Sequence, residues 1–398
     1  MALPPLNPAD QTALDAIIAV RPVWRSLKRA GAAVDLEANT LLHAGPAFDS
    51  PAEITKPIFN SACIAAVIDR LASNFAAAGE AIRNGEIMLR PAQDYRVVTP
   101  LAAVGSPSMW LHEVVDAEHP ARTAFAPING GNGPAMRLGI CNDAVLAHIR
   151  WLNGPFAESL AAAHGGDTDL IALAAHGLRE GDDCHGRTLA ATAELIRQLA
   201  PAIDRDPAAR RFLDEGPSFF LNLWMAACKC MFAAAVGISG SSVVTAAGGN
   251  GATTGIQVAG APGRWHTTPA TAPHGDLGDM PDDRALGAIG DSAIVDVAGF
   301  GAMAMSYAPA QREGLGRFMP EDGLDLPELL LRKVHPGFGD LGFRMGLCAR
   351  DVVASGRSPV ISLGILDIQG TAGRLGGGIY RVPMEPFAAA VDQIAAGG

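Results

Sequence analysis

The segment Phe219–Val236, FFLNLWMAACKCMFAAAV, is apolar on almost every side and contains no proline. Good helix formers over this length predict a helix. A helix that lacks a polar face has to be enclosed by other elements, so the fold must wrap around it. Immediately beyond, the composition turns to glycine, serine and threonine, centred on Gly248-Gly249-Asn250-Gly251 and reaching Gly263. A buried helix followed at once by a glycine-rich polar turn is one way in which α/β proteins present backbone N–H groups to an anion. Lys229 lies inside the apolar run, between Cys228 and Cys230. A lysine is seldom buried without a partner, so its ammonium is expected at a carboxylate, at backbone carbonyls or at a ligand anion.

Asn222 and Lys229 interrupt the run, which favours a buried helix over a membrane span. The start, MALPPLNPADQTALDAIIAV, has no basic n-region and no long apolar h-region, and so does not read as a signal peptide. The net charge of −11 and the absence of a Lys/Arg run argue against nucleic acid as a partner. The cysteines at 63, 141, 184, 228, 230 and 348 form no CxxC pair, so neither a zinc ribbon nor a disulfide framework is indicated, and a reducing cytoplasm is expected. With 398 residues, 49% of them hydrophobic, the chain has ample core for more than one domain.

The expected fold class is mixed α/β (α+β). An α/β N-terminal part is placed at 1–135, a mainly helical segment at 136–236 and a glycine-rich, β-containing part at 237–398. Asn7-Pro8 opens a helix through Val20, and Thr40–His43 reads as a short strand. Ser50-Pro51-Ala52-Glu53 reads as a capping box; the helical region it announces is broken near Pro57 and resumes from Asn60 to Ala72. Glu86–Leu89, Arg96–Val104 and Thr123–Pro127 read as strands. Helical composition or periodicity marks 142–152, 156–163, 170–178, 188–199 and 207–213. Ser242–Ala246 and Thr253–Val258 read as strands joined by the Gly248–Gly251 segment, whose plain reading is a hairpin turn. A polar loop from Thr271 to Arg284 has the character of a lid, a helix-like run covers Ile294–Met305, and Pro359–Asp367 is an apolar strand.

Four further stretches carry candidate chemistry. Asn129-Gly130-Gly131-Asn132-Gly133-Pro134 is either a tight loop or a place where backbone approaches a ligand. Arg137, just beyond it, is suited to a carboxylate or phosphate. Glu180-Gly181-Asp182-Asp183-Cys184-His185-Gly186-Arg187 invites a metal, yet consecutive residues seldom converge on one ion and no second ligand pair is visible. The better reading has His185 as base or donor and Arg187 on an anion, against the plain alternative of an N-cap and loop for the next helix. Gly287-Ala288-Ile289-Gly290-Asp291-Ser292 enters a helix whose first amides can receive an anion, with Asp291 as the alternative cap. Gly370–Tyr380, containing Arg374, is a binding loop or a hairpin, and it matches neither a P-loop nor a dinucleotide fingerprint.

Taken in order, NGGNGPAMRLG from Asn129, DDCHGR from Asp182, FFLNLWMAACK from Phe219, AAGGNG from Ala246, GAIGDSA from Gly287 and GRLGGGIY from Gly373 resemble the AllG/YlbE family, over roughly Leu6 to Phe387. The resemblance implies a mixed α/β chain with a helical insertion that works in the cytoplasm beside other subunits. It also implies a bacterial oxamate carbamoyltransferase of allantoin breakdown, which interconverts oxalurate plus phosphate with oxamate plus carbamoyl phosphate. That chemistry passes through a tetrahedral oxyanion that needs fixed donors, an arginine for the substrate carboxylate and a group to move a proton. Residue types suggest Gly249, Asn250 and Gly251 as oxyanion donors and His185 or Asp183 as proton carrier. Arg137, Arg187 and Arg374 suit the anions, and Lys229 and Asp291 complete the substrate-binding candidates. No cofactor and no structural metal are expected, although a loosely held magnesium accompanying phosphate is compatible with the chemistry. An amidohydrolase using water, or a non-catalytic assembly subunit, are the alternatives. Gly248–Gly251 and Asp182–Arg187 are expected to face one cleft, because each supplies what the other lacks.

Overall fold

The apolar run folds as the helix Phe220–Ala233, with every residue from Asn222 to Phe232 buried. It packs on strands Trp110–Asp116 and Thr123–Pro127 and also on strand Val244–Asn250 and helix Ala293–Ala298. Enclosure from several directions is what a helix without a polar face requires. The computed structural model describes residues 3–131 and 133–397. Helix makes up 44% and strand 20%, the strands being divided among several small sheets, so the class is mixed α/β.

Two four-stranded antiparallel sheets frame the central helix. The first runs Thr123–Pro127, Trp110–Asp116, Pro22–Arg29, Thr168–Asp169. The second runs Ile289–Gly290, Val244–Asn250, Thr253–Val258, His266–Pro269. A three-stranded sheet, His274–Gly275, Arg374–Arg381, Val360–Leu366, carries the C-terminal glycine cluster as a hairpin strand. Thr40–His43 pairs with Met88–Pro91 in parallel, and Leu331–Val334 with Arg344–Leu347 antiparallel. The helices Asp143–Trp151, Ala157–Ala163, Leu170–Arg179, Leu189–Ile203 and Pro207–Asp214 fall on the segments whose periodicity announces them. Among the described residues no helix is long and apolar enough to cross a membrane.

Several local expectations are corrected. Arg96–Val104 is not a strand: Arg96 and Leu101 hold left-handed conformations (φ 61° and 48°), which an extended run cannot contain. Helix Lys56–Ile68 starts earlier than Asn60, because Pro57 sits in its first turn, where proline is tolerated. Ser50 makes no capping bond, and Pro51–Glu53 is one short 3-10 turn. The run after Ser292 is broken at Gly299 (φ 118°) into helix Ala293–Ala298 and the 3-10 segment Gly301–Tyr307. The polar loop after Thr271 is pinned rather than free. His274–Gly275 pairs with Ile379 and Gly378, and Arg284 bonds Asp367 at 2.8 Å.

The largest correction concerns Gly248–Gly251. Gly248, Gly249 and Asn250 belong to the strand Val244–Asn250, which is buried throughout and hydrogen-bonded on both edges. The turn is Gly251-Ala252, closed by the Asn250 carboxamide, whose oxygen accepts the amides of Ala252 (2.9 Å) and Thr253 (2.8 Å). Glycine is required here by backbone crowding. A Cβ on Gly249 would stand 2.2 Å from the Ala288 carbonyl oxygen, and one on Gly45 would stand 2.3 Å from the Gly249 carbonyl carbon.

Candidate active site

His185 reaches its position through a tightly bonded turn. Asp183 Oδ1 accepts the backbone amides of both His185 and Arg187 at 2.8 Å. Between them Cys184 takes a left-handed conformation (φ 60°). Asp182 Oδ2 accepts the amides of Ala190 (2.8 Å) and Ala191 (3.0 Å) and so caps helix Leu189–Ile203. The turn is therefore both a cap and the mount of the His185 side chain.

The His185 Nδ1 is 2.5 Å from Asp296 Oδ2. Asp296 is held in turn by the amides of Ala302 (2.8 Å) and Ser362 (3.0 Å), both on Oδ1. The chain passes so close to this carboxylate that a Cβ on Gly301 (φ 58°) would lie 2.3 Å from Oδ1. With Nδ1 committed to Asp296, the ring presents Nε2 to a cleft of about 370 Å³ that His185 lines. Burial disfavours the charged imidazole, but the carboxylates of Asp296 and Asp183 outweigh it and hold the ring above its ordinary pKa, against Arg374. Burial likewise pushes Asp183 up to about 6.

Arg137 and Arg374 line the same cleft. Arg137 donates to the carbonyl oxygens of Gly130 (3.1 Å) and Gly131 (2.9 Å), which fixes its guanidinium to the glycine loop. Burial, then the Arg374 cation, brings it down to about 10, still charged at neutral pH. Arg374 Nε donates to Gly376 O at 2.9 Å. Among the described residues no carboxylate lines the cleft or ion-pairs with either arginine. Two arginines brought together without an acidic partner form a site for an anion. Asn132 of the glycine loop lies outside the described residues.

The other candidates lie elsewhere. The strand and turn Gly248–Gly251 contribute no residue to the cleft, and their amides serve the sheet, Gly251 N donating to Ala288 O at 3.1 Å. Gly249, Asn250 and Gly251 thus do not line the cleft that His185 and Gly186 line. Asn250 also donates to Pro46 O at 2.8 Å, tying the hairpin to the N-terminal part. Arg187 does not line the cleft; its Nε stands 3.6 Å from Asp182 Oδ1. Lys229 is buried beneath strand Val244–Asn250, donating to Thr245 O at 3.2 Å and facing Gln93 Oε1 at 3.5 Å. Burial lowers its pKa to about 8, with Asp291 and Asp94 opposing. Asp291 accepts from Gly45 N and Gln93 Nε2 on Oδ1, and from Thr99 N and Oγ1 on Oδ2, all within 3.1 Å. It neither caps the helix nor reaches the cleft; its neighbour Ser292 does.

Asp296 and the polar lining were missed from sequence. An aspartate inside IVDVAGF was a signal, since such a residue is seldom buried unpartnered. Asn222, in the central helix, donates to Asn129 O at 2.7 Å and lines the cleft. Gln311, Ser292 and Ser362 also line it. Gln311 crowds Gly186, where a Cβ would lie 2.3 Å from its Nε2.

The chain matches the family model described as oxamate carbamoyltransferase subunit AllG over residues 87–292. It is 32% identical to oxamate carbamoyltransferase subunit AllG of Escherichia coli (strain K12), covering 97% of each chain. It is 31% identical to uncharacterized protein YahG of the same strain, over 96% of this chain and 84% of that one. A crystal structure of a conserved protein of unknown function from Enterococcus faecalis V583 superposes with a TM-score of 0.90 at 26% identity. That match covers 98% of this chain and 97% of the other.

Proposed function

This chain belongs to the family of oxamate carbamoyltransferase subunit AllG, and from that premise we propose that its arginine-lined cleft is a carbamoyl-transfer site. Family membership makes the chain a carbamoyltransferase subunit. The finer reading is a small ureido or amide acid of the oxamate and oxalurate kind, used with carbamoyl phosphate or phosphate in nitrogen catabolism of the allantoin type. One observation carries it: Arg137 and Arg374, without carboxylate partners among the described residues, share a cleft with the Asp296-bound His185. The substrates bring a carboxylate and a phosphate to a site that offers two guanidinium groups. A buried guanidinium facing an anion makes short, charge-assisted hydrogen bonds that fix its orientation. Asn222, Gln311 and Ser292 add neutral donors suited to carbonyl and amide groups.

The assembled carbamoyltransferase is expected to convert oxamate and carbamoyl phosphate to a ureido acid and phosphate, and an Arg137→Met, Arg374→Met chain is expected to assemble but not turn over. Full turnover by that double variant would remove the cleft from the chemistry. Hydrolysis of the ureido acid with no requirement for phosphate would favour an amidohydrolase instead.

A further inference from the structure

Two buried carboxylates act on one imidazole of the cleft wall, Asp296 by direct contact and Asp183 as a neighbouring charge. Asp296 Oδ2 meets His185 Nδ1 at 2.5 Å. Asp183 approaches from the same turn, its Oδ1 on the His185 amide and its Oδ2 buried without a hydrogen-bond partner. A carboxylate oxygen buried without a donor is costly unless positive charge stands near it. Burial is the largest single influence on the ring and opposes its protonation, as does Arg374 on the hairpin strand; Asp296 on helix Ala293–Ala298 and Asp183 on its own turn together outweigh them.

Resting on the carbamoyl-transfer reading of the cleft, we infer that His185 is a standing imidazolium. It donates its Nε2 hydrogen to the carbonyl oxygen of the carbamoyl group and does not act as a base on the attacking nitrogen. The oxamate amide nitrogen attacks the carbamoyl carbon, the C–N bond forms and the carbonyl electrons move onto oxygen. Collapse breaks the C–O bond to phosphate, and the proton shed by nitrogen leaves on phosphate as hydrogen phosphate. No net proton reaches the protein, so His185 keeps both ring hydrogens and stabilises the oxyanion by charge and hydrogen bond together. With Arg137 and Arg374 it makes the cleft triply cationic, matched to a carboxylate and a phosphate dianion held at once.

The test is the ionisation of His185 in the full chain, read by NMR of histidine labelled with 13C and 15N, with His185→Gln as the assignment control. Both ring nitrogens are expected to be protonated at pH 7, with a midpoint above that of free imidazole. A neutral ring at pH 7 overturns the inference, while calorimetry with inorganic phosphate and with oxamate on the same sample judges the cleft reading separately. Asp296→Asn parts charge from hydrogen bond: the amide NH₂ donates to Nδ1 and leaves a neutral ring that still carries Nε2–H. It is expected to slow transfer in the reconstituted assembly by roughly 10²-fold; an unchanged rate overturns the inference. Asp183→Asn keeps an oxygen for the two backbone amides and guards against a folding failure at Asp296. It is expected to lower the His185 midpoint, and a midpoint unmoved by either substitution also overturns the inference.

Discussion

His185 and Asp296 stand 111 positions apart in sequence and 2.5 Å apart in the fold. Asp296 is anchored by two backbone amides, so the contact fixes the ring orientation and decides which nitrogen the cleft receives. A short Asp–His pair whose carboxylate is held by two amides leaves Nε2 as the ring nitrogen that can act in the cleft.

Replacing His185 by Gln removes the charged donor and keeps a side chain of similar reach. Carbamoyl transfer by the reconstituted assembly is expected to fall by roughly 10²–10³-fold, the usual span for loss of one oxyanion donor. The far-ultraviolet circular dichroism should be unchanged. Activity within a few-fold of the parent would show that the imidazole takes no part.

Arg137→Lys is expected to behave as a loss and not as a conservative change, because the guanidinium bonds two loop carbonyls at once. Inorganic phosphate should bind roughly 10–100-fold more weakly, corresponding to about 1.5–3 kcal/mol for a hydrogen bond to a charged group. Isothermal calorimetry at two salt concentrations checks this, and equal affinity for the two proteins would place the anion elsewhere.

Gly249→Ala should destabilise the chain severely, because the new methyl group would meet the Ala288 carbonyl oxygen at 2.2 Å and neither strand can retreat. The cost expected of such overpacking is about 1–3 kcal/mol or more. Gly165→Ala, with nothing within 4 Å, is the control and should leave the thermal midpoint almost unmoved. Equal midpoints for the two variants would show that the strand does not pack as described.

Asp291, buried, titrates at about 6 in the fold against 3.8 for the free side chain. A raised carboxyl pKa means that folding disfavours its charged form, so the group costs about 3 kcal/mol above pH 6. That cost shrinks as the pH falls through 6 and is gone near 4. Asp183, pushed to about 6 by burial, has the same sign. His185, raised by its carboxylates, adds stability below neutral pH that fades as the ring deprotonates. Lys229, lowered to about 8, contributes no slope in this window, since its penalty is relieved only above pH 8. Against these gains, burial holds His43 at about 4, His112 at about 3 and His335 at about 4, so unfolding takes up protons there as the pH falls below 6.5 and stability is lost. Urea denaturation should therefore show lower stability at pH 5.5 than at pH 7.5, and Asp291→Asn, which removes one opposing gain, should steepen that fall. Stability that rises from pH 7.5 to 5.5 would contradict the burial of these histidines.

The central helix, its enclosure and the helical stretch around residues 142–214 were legible in the sequence, because periodicity and composition act over a few turns of chain. The arginines Arg137 and Arg374 and the imidazole of His185 were legible as residue types suited to anions and protons. What the glycines of Gly248–Gly251 do was not legible. A glycine that admits a ligand and a glycine that admits a neighbouring backbone carry the same letter, and here the neighbours are Gly45 and Ala288. The strands Pro22–Arg29 and Trp110–Asp116 escaped notice for a related reason. The second is buried almost throughout, so it shows no alternation, and it holds His112 and Glu113 where a core strand would be expected to be apolar. Asp296 could be suspected only as an acid in an apolar run, with no local sign of its partner. Sequence by itself determined which segments could be helix, which side chains could meet an anion and which chemistry they suited. Tertiary structure alone decided which amides the sheets consume and which arginines share a cleft. It also decided which carboxylate holds the histidine, since those contacts join residues tens to hundreds of positions apart.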